Sequence, residues 1–194
     1  MDIAALRDDL VITARLRGRD LVFHTTWGLF SPKAIDEGTR LLVEHLPIEP
    51  ADDCLDLGCG YGPVGLAMAA GAPGGTTLMV DVNVVAVRYA TANAQRNGLS
   101  NVEAQLSNGL ADIDPTRRFD LVAANLPAKV GRELLAIFVH DAHARLRPGG
   151  RMAVVTITQL RPVVERAFET EFGNAAKLKQ GRAHVVMGAV KRDD

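Results

Sequence analysis

The sequence predicts an α/β protein built on a mostly parallel sheet, and three observations carry that prediction. Strand-like and helix-like segments alternate along the chain. No linker or repeat interrupts them. The run Cys54-Leu55-Asp56-Leu57-Gly58-Cys59-Gly60-Tyr61-Gly62-Pro63-Val64-Gly65 reads as a short apolar strand ending in glycines and continuing as a helix. Glycines suit such a turn because a Cβ would block it and would keep backbone N–H groups and the helix N-terminus away from a ligand.

Taken in order, residues 11–16 and 20–24 flank Arg17-Gly18-Arg19 and predict an N-terminal hairpin. Ser31-Pro32 has the form of an N-cap followed by a first-turn proline, and Leu41, Leu42, His45 and Leu46 keep helical spacing before Pro47. Strands are expected at about 53–57, 77–82, 102–106, 120–124 and 152–157. Between them lie helices ending near residue 70, running from 84 to an Asn97-Gly98 cap, and spanning 132–146. A helix over 162–172 and two last strands, at about 176–180 and 184–190 around Gly181-Arg182, complete the chain.

A chain of 194 residues suffices for one core that buries close to roughly 70% of its unfolded surface, and is short for separate cofactor and substrate domains. Residues 1–194 are therefore read as one domain, with 1–30 a hairpin extension and 31–194 the core. The formal net charge of −1 gives no global field favouring nucleic acid, so any RNA contact must come from local basic patches. Cys54 and Cys59 flank one strand end, poor geometry for a disulfide, and read as small buried residues. The first nine residues lack a signal-like apolar core and no run reaches membrane length, which predicts an intracellular, cytoplasmic protein.

Two ligand classes fit the glycine turn. Gly60-x-Gly62-x-x-Gly65 matches a dinucleotide fingerprint, but there the first glycine follows the strand directly, and here that glycine is Gly58. The spacing Asp56-x-Gly58-x-Gly60-x-Gly62 resembles instead the first motif of class I S-adenosylmethionine (SAM) methyltransferases. Such enzymes have a Rossmann-like, seven-stranded sheet with one antiparallel strand placed by a final hairpin, and the predicted element order agrees with it. In open α/β sheets the ligand crevice lies beyond the carboxyl ends of the strands, where the winding reverses.

The turns expected at that crevice carry polar signals. Asp81 lies about twenty residues past the glycines, where a carboxylate can accept from both ribose hydroxyls. Asn108 can both donate to and accept from an adenine edge, although Asn108-Gly109 is also an ordinary turn pair. The resemblance assigns cofactor contacts to Asp56, Gly58, Cys59, Gly60, Gly62, Asp81, Val82, Asn108 and Gly109.

Asn125-Leu126-Pro127-Ala128 points to the reaction. A planar exocyclic amine is a poor nucleophile, but an Asn oxygen and a backbone carbonyl can accept its two hydrogens and aim its lone pair, while a proline removes a competing donor. The segment resembles the Asn-Pro-Pro-aromatic motif of methyltransferases that modify amino groups. Leu126 replaces the first proline and Ala128 replaces the aromatic ring that would stack on a flipped base. Asn125, Leu126 and Pro127 are the candidate catalytic positions.

Upstream, Gly28-Leu29-Phe30-Ser31 with Asp36-x-Gly38-Thr39 and Leu41-Leu42 resembles the opening segment of the small methyltransferase family that includes ribosomal-RNA guanine methyltransferases acting on the exocyclic amine. That likeness adds Phe30, Gly38 and Thr39 as cofactor neighbours; on the residues alone, Phe30 can equally be a staple on a Ser31-capped helix. It implies SAM as cofactor, methyl transfer to an amine nitrogen, and a guanine in RNA as acceptor. Arg15, Arg17, Lys129 and Arg132 are the candidate RNA contacts. A binding module without catalysis, a methyltransferase for a protein or small-molecule amine, and a nicotinamide oxidoreductase remain as alternatives. His140 and His143 share a helix face without an evident third ligand, so no metal is expected.

Overall fold

A computed structural model describes residues 8–129 and 131–192. Residues 1–7, on which part of the leader reading rests, lie outside the described residues. Strands β1 (Leu10–Leu16) and β2 (Arg19–Thr25) form a separate antiparallel hairpin. Then follow α1 (Glu37–His45), β3 (Cys54–Leu57), α2 (Pro63–Gly71), β4 (Thr77–Asp81), α3 (Val84–Arg96), β5 (Val102–Leu106) and β6 (Phe119–Asn125). The chain continues through α4 (Arg132–Arg145), β7 (Leu146–Ile157), α5 (Arg161–Phe172), β8 (Ala176–Gln180) and β9 (His184–Val190).

Seven strands make one sheet in the order β5-β4-β3-β6-β7-β9-β8. Pairing is parallel from β5 to β7, and β9 runs antiparallel to both its neighbours, as the resemblance to class I methyltransferases implies. The winding reverses between β3 and β6, which fixes the crevice at the carboxyl ends of these two strands.

The period of two along each central strand divides the core into two layers. Cys54, Met79, Leu121, Ala123, Ala153 and Val155 face α1, α2, α3 and the hairpin. Leu55, Leu78, Val80, Val122, Val154 and Met187 face α4 and α5. Both faces are covered, so β3 and the first four residues of β4 are buried continuously rather than alternately.

The hairpin is attached to α3 by side chains that imitate a neighbouring strand. Asn97 accepts from the Val22 N–H (2.9 Å) and donates to the Val22 carbonyl (2.8 Å), while Asn93 does the same for His24 (2.8 Å each). The backbone edge of β2 is thus satisfied by a helix.

One expectation is corrected. Ser31 is no helix cap: its φ is +47° and its hydroxyl donates to the Ala34 carbonyl at 2.7 Å. The helix starts at Glu37, capped by Asp36, whose carboxylate accepts from the N–H groups of Gly38 and Thr39. Phe30, the expected staple, is 67% exposed.

The amino end of the sheet is closed by ion pairs. Arg147 bridges Asp53 and Asp120, and Arg151 bridges Glu49 and Asp52, the last only 5% exposed. Burial alone would raise the Asp53 pKa, but hydrogen bonds from Thr76 and Arg147 outweigh it and hold the carboxyl below its ordinary value.

Candidate active site

The carboxyl end of the same sheet is open. A cavity of about 640 Å³ lies over the ends of β3, β4, β5 and β6, within the size range of small-molecule sites. Its walls include Phe30, Thr39, Gly58, Cys59, Gly60, Asp81, Val82, Asn108, Gly109, Asn125, Leu126 and Pro127. Twelve of the fifteen candidate site residues are therefore brought together; Gly38, Asp56 and Gly62 stand behind the walls.

The glycine turn forms one wall from backbone. Gly58 and Gly60 have φ of +80° and +54°, and a Cβ at either would meet no protein atom within 4 Å. Side chains there would be strained and would project into free space that a ligand can use. The turn is fastened from both sides. Gly58 and Cys59 donate to the Val80 carbonyl, each at 2.9 Å, and Gly60 donates to Asp81 Oδ2 at 2.9 Å. The second Asp81 oxygen accepts from Asn83 N–H at 2.9 Å. Each carboxylate oxygen keeps a free lone-pair direction, so Asp81 can still receive hydroxyl donors.

Asp56 supports the turn from behind. It is buried, and its Oδ2 accepts the Gly65 N–H at 2.8 Å. A Cβ on Gly65 would lie 2.4 Å from Met79 Cγ, so glycine lets α2 approach β4 closely. Burial raises the Asp56 pKa to about 7, the Gly65 bond opposes that rise, and the Asp81 charge adds to it. Cys59 lines the cavity but is buried; loss of solvent pushes its thiol well above the ordinary range, so it acts as a neutral wall.

The exit of β6 forms the facing wall from side chains. Asn125 Nδ2 donates to Thr39 Oγ1 at 2.9 Å and to Asp36 Oδ2 at 3.3 Å. Leu126 buries its side chain among residues facing α4 and α5, and its N–H donates to the Val155 carbonyl at 2.9 Å. The leucine that replaces the motif's first proline thereby extends the pairing of β6 with β7, a bond that proline lacks the hydrogen to make. Pro127 and Ala128 are exposed on the cavity rim.

The expected basic contacts separate. Arg17 sits in the hairpin turn with φ +48° and donates to the Val43 and Leu46 carbonyls, both at 3.0 Å, capping the C-terminus of α1. Arg19 does the same for Ala70 of α2 at 3.3 Å. Arg15 is solvent-exposed, 4.0 Å from Asp20. These residues lie at the amino end of the sheet, away from the cavity, whereas Lys129 and Arg132 are exposed just beyond the Asn125 loop.

Sequence reasoning missed Asp36, Tyr61, Phe138 and His184, all on the cavity wall. Tyr61 donates its hydroxyl to the Ser31 carbonyl at 3.3 Å, tying the Phe30 loop to the glycine turn. His184 arrives through the pairing of β9 with β7, opposite Ile157, and no local pattern announces it. Among the described residues no cluster of His, Cys, Asp and Glu could hold a metal, and no helix is long and apolar enough to cross a membrane.

The family model of the methyltransferase small domain matches residues 20–188. The chain belongs to this family. An uncharacterized protein of Bacillus subtilis, YbxB, is 32% identical over 180 residues, covering 91% of this chain and 89% of that protein. The ribosomal RNA large subunit methyltransferase G of Streptomyces coelicolor is 35% identical over 193 residues, covering 96% of this chain but 49% of that protein. Among solved structures, a Thermus thermophilus 16S rRNA N2 G1207 methyltransferase in complex with AdoMet and guanosine superposes with a TM-score of 0.82 at 27% identity, covering 95% of this chain and 51% of that one. The chain therefore spans about half the length of these two rRNA methyltransferases and nearly the whole length of the B. subtilis protein.

Proposed function

We propose that this protein is a SAM-dependent N-methyltransferase whose acceptor is the exocyclic amine of a guanine in ribosomal RNA. The observation that carries this reading is the placement of Asn125 at the switch-point strand end, on a cavity whose other wall is a glycine turn with an adjacent, only partly engaged carboxylate. The residues present suit the cofactor: Asp81 can accept ribose hydroxyls, Asn108 can meet an adenine edge, and Gly58 and Gly60 leave the free space its amino-acid portion needs. Bound there, SAM supplies an electrophilic sulfonium methyl. The methyl would pass to the lone pair that Asn125 and Leu126 aim, with S-adenosylhomocysteine as the leaving group and the amine proton lost to water.

Asn125 Oδ1 accepts one amine hydrogen and the Leu126 carbonyl the other, so the chain's contribution is orientation, worth up to roughly 7–11 kcal/mol when two reactants are aligned. Phe30, exposed on the cavity wall, offers an aromatic face where Ala128 has none. The names of the Streptomyces and Thermus proteins support ribosomal RNA as the substrate class, and guanosine in the Thermus complex supports the base. The hairpin's bonds to α3 favour reading residues 1–194 as one domain. A cytoplasmic location follows from such a substrate.

The test is to incubate purified protein with methyl-labelled SAM and ribosomal RNA, cell protein and small-molecule fractions. Label recovered from digested RNA as N2-methylguanosine is the expected result. Label only in protein or small molecules reassigns the acceptor, and SAM binding without transfer makes the chain a binding module. Neutralising Lys129 and Arg132 should lower the salt slope of RNA binding by about one for each phosphate that the wild-type side chain neutralises.

A further inference from the structure

The segment Asp36-x-Gly38-Thr39 does more than begin a helix. Asp36 Oδ1 faces the N–H groups of Gly38 (2.9 Å) and Thr39 (3.3 Å), and Oδ2 faces the Thr39 hydroxyl and Asn125 Nδ2 (3.3 Å). The Thr39 hydroxyl has one proton and gives it to Asp36, so its oxygen can only accept from the group on its other side. That group is the Asn125 amide, at 2.9 Å. Reversing the amide would set Asn125 Oδ1 against the acceptor oxygens of both Thr39 and Asp36. An Asn side chain usually has two plausible orientations, and here the chain of acceptors permits one. Gly38 keeps the arrangement compact: a Cβ there would lie 3.0 Å from both Asp36 Oδ1 and His184 Cδ2.

We propose that Asp36 and Thr39 are positioning residues that set the polarity of Asn125, presenting its oxygen to the acceptor, and so restrict the site to nucleophiles that arrive carrying N–H donors. An exocyclic amine satisfies this. A ring nitrogen such as guanine N7, which carries no hydrogen, leaves the Asn125 oxygen facing a lone pair. The inference rests on the amine-methyltransferase reading for its consequence in turnover, but the orientation itself is a property of the free protein.

The experiment compares wild type with Thr39→Val, Thr39→Ser and Asp36→Asn. Three quantities are read: kcat on a guanine acceptor, the SAM Kd by calorimetry, and the Asn125 side-chain amide resonances in 15N-labelled protein without acceptor. Thr39→Val should lower kcat at least about tenfold, leave the SAM Kd within about twofold, and shift or broaden the Asn125 amide signals; Thr39→Ser should restore all three. Asp36→Asn keeps a good helix cap but lets residue 36 donate to Thr39, which turns the Thr39 proton toward Asn125; kcat should fall again with the fold retained. Unchanged Asn125 signals and kcat in Thr39→Val overturn the proposal. A loss of SAM affinity equal to the loss of kcat also overturns it, by assigning Thr39 to the cofactor. If wild type methylates no guanine amine yet Asn125 responds as described, the reaction assignment fails and the positioning stands.

Discussion

The two ends of the central sheet are finished in opposite ways. At the amino end, Arg147 and Arg151 each bridge two acidic groups, and Arg17 and Arg19 close the ends of α1 and α2. Charge there is consumed by charge or by backbone carbonyls. At the carboxyl end, Asp81 and Asn125 are held from one side only and keep hydrogen-bonding capacity toward the cavity. A side chain whose partners all lie within the fold contributes to stability, whereas one anchored on a single side is available to a ligand. The two ends should therefore separate under mutation into stability effects and activity effects.

The largest effect should come from Asn125→Ala, which should cut turnover by about 10²-fold or more while the SAM Kd stays within about twofold. Equal losses of turnover and affinity would remove Asn125 from the reaction and blur the contrast between the two cavity walls. Next, Asp81→Ala should weaken SAM binding by roughly 10–150-fold, from about 1.5–3 kcal/mol of lost charge-assisted hydrogen bonding, with the melting temperature little changed. Calorimetry and thermal melts on the same preparation test both halves.

The amino end should respond the other way. Arg151→Ala strands the nearly buried Asp52 and should cost about 3 kcal/mol, or roughly 6–12 °C in Tm, with kcat per folded molecule unaltered. A fall in kcat at a temperature where the variant is fully folded would show that the ends are coupled.

The last contrast concerns pH. Burial raises the Asp56 pKa to about 7 in the folded protein, against an ordinary value of 3.8. Its contribution to stability is fully present below about pH 4 and is lost as pH climbs through about 7. Asp56→Asn should abolish that part of the pH dependence, so the Tm of the variant relative to wild type should rise between pH 4 and pH 8. Parallel curves across that range would mean that Asp56 is better solvated than its position implies.

Legibility in the sequence tracks how local each feature is. The bounds of β5 are as predicted from residues 102–106, and those of β8 and β9 from 176–180 and 184–190, because turn residues flank each of these strands. The glycine turn is equally legible, since it is made by neighbouring residues acting through their own backbone. The start of α1 is not, because Ser31-Pro32 and Asp36 are both competent local signals, and the choice between them is made by Thr39 and the distant Asn125. The hydrogen bonds that orient Asn125 span 86 and 89 residues, and periodicity carries no information at that range. The same holds for Arg17: alternation places it beside Arg15, but the turn's positive φ swings it onto α1. Phe30, Gly38 and Thr39 are reachable only through resemblance to a family, and the structure places Gly38 behind the wall that Thr39 helps to build.

The asparagine pair on α3 has a consequence for the entropy of substrate capture. Asn93 fixes His24, near the end of β2, and the Asp36 and Thr39 contacts fix the start of α1, so the intervening segment that carries Phe30 is pinned at both ends before anything binds. Tyr61 pins it again at Ser31. Ordering a free loop costs about 1–2 kcal/mol per residue in backbone entropy, and here that cost falls within folding. The base proposed as acceptor would then have little more than the Phe30 rotamer to arrest.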